Sequence, residues 1–353
     1  MNLLDRRAFL KQSSIVAAGI GVGLAVPRQA QPIIRTLVND VAPNEFTGAV
    51  LFHEHLSMHY PLTNALAARQ GVAAPTHFSD DIDLMLEETR AAGRDGVGCI
   101  VDGGHPDMDR NIEALKRIAA NSEVHVVASG GYYMQRTYPA DIASKTVEQI
   151  ADELVRESRE QKLGAFGEIG QQGGELTSDE RKVFSAIAKA HVRTGLPIFT
   201  HNAYTGTRAV NPPVPSDAAL RQLDVLEASG ARPQNIALGH VCCLDDPSAE
   251  VAKQIAKRGA FIGFDRVTIQ TLPDSKRVTM ILALIEAGHA SNLLLSSDFS
   301  SPRSLKKNGG AGLAQTVTVF GKMLLDAGVK QETLRTILNE NPRRFLSFVP
   351  KTG

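Results

Sequence analysis

Seven residues have the type and spacing for metal binding or proton transfer: His53, Glu54, His55, Glu168, His201, His240 and Asp298. His53 and His55 stand two apart in the apolar run Leu51-Phe52-His53-Glu54-His55-Leu56. On a strand that spacing puts both imidazoles on one face, where they can grip one ion. Glu54 then points the other way. It is expected as a structural carboxylate, hydrogen-bonded behind the barrel or backing a ligand. A single zinc takes about three or four protein ligands. Leaving Glu54 aside, four imidazoles and two carboxylates exceed that need and suit two ions sharing one carboxylate. Two such ions roughly 3.5–4 Å apart polarise a carbonyl or phosphoryl oxygen and hold a bridging water, which the zinc precedent acidifies to a pKa near 7. The ligand types accept zinc, manganese, cobalt or iron, with zinc the first expectation.

The elements that must position these residues follow from hydrophobic pattern. Short apolar, β-branched runs predict strands at Ala49–His53, Val97–Asp102, Val124–Ser129, Ala165–Ile169, Pro197–His201, Ile236–His240, Ala260–Asp265 and Leu293–Asp298. Helical periodicity marks Ile82–Ala92, with Ser79 and Asp80 as capping candidates, then Asn111–Ala120, Thr146–Lys162, Asp179–Thr194, Asp217–Ser229, Pro247–Arg258 and Lys276–Ala287. Leu313–Ala327, Gln331–Asn339 and a short turn after Pro342 close the chain. Gly195, Gly230, Gly259 and Gly288 sit where left-handed C-caps belong. Eight strands alternating with helices give an α/β fold, a single-domain TIM (β/α)8 barrel. An open doubly wound sheet would bring a Gly-rich phosphate turn after the first strand, and none is present. In a barrel the active site lies at the C-terminal ends of the strands. His53, His55, Glu168, His201, His240 and Asp298 fall there, although the strands follow from apolar pattern alone.

The 353 residues have zero formal charge and no tryptophan. No basic block or aromatic-basic interleaving points to nucleic acid. Cys99, Cys242 and Cys243 cannot build a disulfide framework and read as small apolar fillers, with a soft-metal role for the adjacent pair as the alternative. His59, His77, His125, His191 and His289 read as ordinary polar residues, whereas His105 is expected on the functional rim. Residues 1–30 read as a twin-arginine signal: Arg6-Arg7 before Phe9-Leu10-Lys11, then a weak Gly- and Ala-rich apolar run. A frayed helix is the alternative. The run is too short and Gly-rich for a membrane anchor. The expected organisation is a signal over 1–30 and a barrel over 31–353, with a periplasmic or secreted product.

From Leu37 to about Ser347 the chain resembles the phosphotriesterase family of the amidohydrolase superfamily. The matching pieces are the His53-Glu54-His55 run, Gly164-Ala165-Phe166-Gly167-Glu168-Ile169-Gly170, Ile198-Phe199-Thr200-His201, Leu238-Gly239-His240, Gly263-Phe264-Asp265-Arg266, Leu295-Ser296-Ser297-Asp298 and Asn341-Pro342-Arg343-Arg344. The resemblance implies that His53, His55 and Asp298 bind the more buried of two divalent ions. It implies that His201 and His240 bind the more exposed one, and that Glu168 bridges them. Asp298 would take and relay a proton of the bridging water. Many relatives bridge with a carbamylated lysine; Glu168 stands there in this chain, as in the phosphotriesterase homology protein branch. Ser297 replaces a histidine that relays protons in some members. Arg266 resembles an arginine of lactonase-like members, and the resemblance also implies a homodimer.

Tyr132 and Tyr133, after the third strand, are placed to line a substrate pocket together with Arg266. Ser300–Gly312, with Lys306, Lys307 and three glycines, reads as a mobile loop over it. The expected activity is a metal-dependent hydrolase acting on a small molecule with an ester-like bond: a lactone, a carboxylic ester or a phosphotriester. Two other readings are weighed beside it. A TatD-type metal-dependent nuclease uses the same ligand types but needs a phosphate-binding groove. A non-catalytic binding barrel would usually have lost ligands, and metal content separates it from a hydrolase.

Overall fold

The computed structural model describes residues 31–206, 213–269 and 271–351. The twin-arginine segment lies outside the described residues. From Pro32 onward the chain is one unit. Its eight parallel strands are β1 (Ala49–Glu54), β2 (Val97–Asp102), β3 (His125–Gly130), β4 (Ala165–Gly170), β5 (Ile198–His201), β6 (Ile236–Leu238), β7 (Phe261–Phe264) and β8 (Leu293–Leu295). They pair in sequence order from β1 to β8, which with the helices outside makes the expected TIM barrel. Between them run α1 (Asn64–Gln70), α2 (Ile82–Arg94), α3 (Ile112–Asn121), α4 (Val147–Glu160), α5 (Ser178–Thr194), α6 (Ala218–Ala228), α7 (Glu250–Lys257) and α8 (Asp274–Glu286). Among the described residues no helix is long and apolar enough to cross a membrane.

Local chemistry sets these boundaries. Thr146 and Thr177 open α4 and α5 with reciprocal capping boxes to Gln149 and Glu180, and Gly195 ends α5 in the left-handed region at φ 85°. The cap of α2 corrects the sequence reading. Asp81, not Ser79 or Asp80, accepts the Leu84 N–H at 3.0 Å, while Phe78–Asp80 makes a separate 3-10 turn. Helix α1 had no sequence counterpart because its run is short. The last two helical runs each contain a wider π turn, at Thr316–Phe320 and Thr336–Glu340.

Alternation along the strands divides the core in two. Val50, Phe52, Cys99, Val101, Val127, Ala165, Phe199, Ala237 and Leu294 fill the barrel interior. Leu51, Ile100, Val126, Phe166, Ile198 and Leu238 pack outward against the helices. Phe52 meets Phe199 and Phe345 edge to face at 6.3 and 6.2 Å, so the C-terminal helix Asn341–Leu346 plugs the floor. Ile34, Val41 and Phe46, from the N-terminal hairpin and the turn after it, share that plug.

The seam between β8 and β1 closes differently from the other seven. The His53 N–H donates to Ser296 Oγ at 2.9 Å, and the Asp298 N–H donates to the His53 carbonyl at 3.3 Å. Glu54 completes the closure: its carboxylate accepts from Ser297 N, Ser297 Oγ and Phe299 N, each at 2.8 Å. Burial pushes this carboxyl up to about 7, against the lowering pull of those hydrogen bonds. Glu54 therefore backs the Asp298 segment, as its outward direction on β1 implies. Glu54→Ala, which strands two buried N–H groups, is expected to cost about 2–4 kcal/mol in urea unfolding. Glu54→Gln, which keeps an acceptor, should cost less; equal losses would remove the hydrogen-bond explanation.

Candidate metal centre

Local irregularities aim the ligands. Between Leu51 and Glu54, β1 advances three residues against two on β2, and between Phe166 and Ile169 β4 does the same against β5. Each bulge re-aims a side chain at the rim, His53 on β1 and Glu168 on β4. At Gly167, with φ 151°, a Cβ would sit 2.3 Å from the Phe199 ring, so only glycine allows the bend before Glu168. At Gly103 a Cβ would press within 3.1–3.2 Å of the His53 and His55 rings.

Two of the ligand candidates expected at strand ends lie beyond them, as does Asp265. Strands β6 and β8 stop at Leu238 and Leu295, and His240 and Asp298 follow in left-handed conformations, at φ 58° and 50°. That backbone cannot continue a ladder, so both strands are shorter than the sequence reading. It is costly for non-glycine residues, of order 1–3 kcal/mol each, and must be held by neighbours. Asp265, just past β7, does this for His240 by accepting its N–H at 2.7 Å.

The side chains converge on Glu168. Its Oε2 lies 3.3 Å from His53 Nε2, 2.9 Å from His201 Nδ1 and 3.4 Å from His240 Nε2, and its Oε1 lies 3.3 Å from His55 Nε2. Asp298 Oδ1 is 3.1 Å from His55 Nε2. Besides the group His53, His240 and Asp265, two donor sets result, each with atoms within 4.8 Å of one another: His53, His55, Glu168 and Asp298, and then Glu168, His201 and His240. Glu168 is common to both. His53 Nε2 is buried without a hydrogen-bond partner although the Glu168 oxygen is near, and His201 Nδ1 faces His240 Nε2 at 2.9 Å. Imidazole lone pairs that face one another and a carboxylate are arranged for cations. The donor sets therefore fit divalent cations, with Glu168 within reach of both.

Asp265 also carries the orientation of the site. Its Oδ2 is 2.8 Å from His53 Nδ1 and its Oδ1 is 3.0 Å from His240 Nδ1. A carboxylate accepts, so both imidazoles donate from Nδ1 and present Nε2 to the centre. Sequence reasoning gave Asp265 no role; its position directly after an inward-facing apolar strand was the available signal.

A cavity of about 330 Å³ opens above the cluster. Tyr133 and Arg266 line it with His55, Glu168, His201 and Asp298. Tyr133 Oη lies 3.2 Å from His201 Nδ1. Arg266 Nε approaches Asp298 Oδ2 at 3.1 Å, off the line of a hydrogen bond. Tyr132 does not reach the cavity, which corrects its expected placement. At Gly131 the backbone turns with φ 135°, and the Tyr132 ring packs near Tyr138 with its hydroxyl 3.5 Å from Glu153. His105 is also off the cavity, buried and 3.1 Å from Asp107. The expected loose loop Ser300–Gly312 is folded into two 3-10 turns and anchored on α2, with Lys306 N donating to Glu88 at 2.7 Å; only Ser300 reaches the cavity. All three cysteines are buried free thiols, as fillers should be. Tyr60, Arg136, Gln172 and Asn202, which also line the cavity, carried no sequence pattern that marked them.

The metal-free electrostatics follow from this crowding. Burial pulls His55 and His240 down, but their carboxylate neighbours, Asp298 and Glu168 for His55, Asp265 and Glu168 for His240, raise both to about 9. Burial, together with the neighbouring His240, lowers His201 to about 4 against the pull of Glu168. Burial opposes ionisation of Glu168, but the surrounding imidazoles hold it well below the usual carboxylate range.

A family model, the Phosphotriesterase family, matches residues 34–346. The chain is 31% identical over 313 residues to the Phosphotriesterase homology protein of Escherichia coli (strain K12), covering 85% of this chain and 98% of that protein. It is 27% identical over 358 residues to the N-acetyltaurine hydrolase of Rattus norvegicus, covering 89% and 98%. The crystal structure of the Escherichia coli protein, complexed with phosphate in its active site, superposes with a TM-score of 0.74 at 29% identity, covering 86% of this chain and 99% of that one.

Protons on His55 and His240 must leave before a cation binds. Divalent-metal affinity is therefore expected to rise with pH up to about 9, and uptake near pH 7 should release protons. Calorimetry in buffers of different ionisation enthalpy reads this directly; buffer-independent heats would contradict it.

Proposed function

The chain belongs to the phosphotriesterase family, and from that premise we propose a hydrolase that holds two divalent ions, zinc first among them, and cleaves a lactone or carboxylic ester of small size. The observation that carries the reading is the one carboxylate, Glu168, common to two donor sets at the floor of a cavity. Held by these residues, the ions would supply Lewis-acid polarisation of the scissile carbonyl and would lower the pKa of the attacking water. The chain's own residues account for the rest.

Asp298 is the proton acceptor. Burial opposes its ionisation, but His55 and Arg266 keep it below its ordinary value, so it is a carboxylate at neutral pH. It faces both the His55 imidazole and the cavity. Tyr133 is buried, and burial with nearby Glu168 raises its phenol well above 10. It keeps its proton and can donate a hydrogen bond to a developing oxyanion. Arg266 stays cationic beside Asp298 and offers a second donor to that charge. The same charge develops on a phosphoryl oxygen, so slow phosphotriester turnover is part of the proposal.

The twin-arginine pattern within residues 1–30 supports a companion proposal, export to the periplasm or beyond.

The test is a substrate panel on zinc-loaded protein: aliphatic lactones, an aryl ester, N-acetyltaurine and a phosphotriester. Lactone or aryl ester is expected to give the highest kcat/KM, and Asp298→Asn to lower it about 100-fold or more with the fold retained. Highest turnover of N-acetyltaurine would replace the ester with an amide, and no turnover of any member would overturn the hydrolase reading.

A further inference from the structure

Among the described residues two arginines line the cavity, and their circumstances differ. Arg266 is charge-paired with Asp298 at 3.1 Å, beside the metal centre. Arg136 has no carboxylate partner among the described residues. Its guanidinium carbon lies 5.0 Å from the centroid of the Tyr60 ring, and its Nε is buried without a hydrogen-bond partner. The only carboxylates lining the cavity among the described residues are Glu168 and Asp298, both within the metal centre. An arginine half-buried against an aromatic face, with unspent donors turned to a cavity, is arranged to receive a planar oxyanion.

The segment that carries Arg136 is held in place. Its N–H donates to Gln172 Oε1 at 2.9 Å, and its carbonyl accepts from Arg69 at 3.2 Å. Asp107 accepts from Tyr133 N at 2.9 Å and from the Thr137 hydroxyl at 2.7 Å, on either side of it. Tyr60 packs edge to face on Tyr133 at 5.7 Å, and Tyr133 reaches His201. One wall thus runs from Arg136 through Tyr60 and Tyr133 to the metal centre. Met58, Met108 and Met134 form an apolar cluster with Tyr133 along it. The cavity has a reactive pole, an apolar middle and a cationic pole.

We infer that Arg136 is a specificity-determining residue that receives a terminal carboxylate, or a similar oxyanion, on the substrate, whose apolar middle lies along the methionine cluster. The inference deepens the ester-hydrolase reading and rests on it for the reactive pole.

The experiment uses matched pairs. Turnover is compared for 4-nitrophenyl hydrogen glutarate and 4-nitrophenyl 5-methylhexanoate, in which an isopropyl group replaces the far carboxylate. Calorimetric binding is compared for glutarate and 5-methylhexanoate, which share one carboxylate and differ only at the other end. The wild type should favour the anionic member of each pair by about tenfold, the size of one charge-assisted contact, with the turnover preference residing in KM. Arg136→Met should collapse both ratios to about one, and Arg136→Lys should restore part of them. Each ratio is internal to one protein preparation, so a partly unfolded variant does not mimic the result. Absence of preference in the wild type, or ratios unchanged in Arg136→Met, would overturn the inference. If neither ester turns over, the aryl-ester reading fails, the remaining panel members decide the hydrolase reading separately, and the binding ratio alone decides the role of Arg136.

Discussion

Three carboxylates and four imidazoles stand together at one end of this barrel, Glu168, Asp265 and Asp298 with His53, His55, His201 and His240, and all but the partly exposed His201 are buried. Such a group needs compensating positive charge, because an unpaired ionised group in a low-dielectric interior costs several kcal/mol. Arg266 supplies one charge, at Asp298. The remainder must come from protons on the imidazoles or from cations between them. The raised His53, His55 and His240 are the proton-loaded answer, and the shared Glu168 carboxylate is the geometry of the cation-loaded one. The two are alternatives for the same space, so proton release and metal uptake are expected to be coupled.

The rest of the fold serves that crowding. Asp265 fixes two imidazoles by their Nδ1 atoms and holds the left-handed His240 backbone. Glu54 holds the backbone on both sides of Asp298 while closing the barrel. Two strand bulges aim His53 and Glu168. The outer layer of helices contributes through burial, because removing water from the rim is what makes each carboxylate–imidazole contact strong.

The barrel was legible because its strands are continuous apolar runs and its helices carry caps and amphipathic period. The six ligand candidates were legible because imidazoles and carboxylates at the ends of such runs are an uncommon pattern. What stayed hidden depends on backbone conformation and tertiary partners. Nothing local announces that His240 and Asp298 sit past their strands in the left-handed region. Tyr132 and Tyr133 are adjacent and chemically alike, and only the turn at Gly131 decides which one faces the cavity. Asp265 reads as another strand-end carboxylate until two histidines from β1 and the β6 end arrive beside it. Ser300–Gly312 reads as loose from its glycines, yet Glu88, Asp95 and the buried Leu305 fasten it.

Cavity polarity then follows from what the centre consumes. On the proposed reading Glu168 and Asp298 serve the ions and Arg266 pairs with Asp298, so among the described residues Arg136 is the cavity cation without a carboxylate partner, beside an aromatic and methionine wall. The central claim beneath all of this is that Glu168 is shared between two ions. Anomalous diffraction at the zinc edge, from crystals grown with zinc and no chelator, tests it most directly. The account predicts two peaks, each within coordination distance of the Glu168 carboxylate, one flanked by His53, His55 and Asp298 and the other by His201 and His240. A single peak, or two peaks of which one lies away from Glu168, would contradict it.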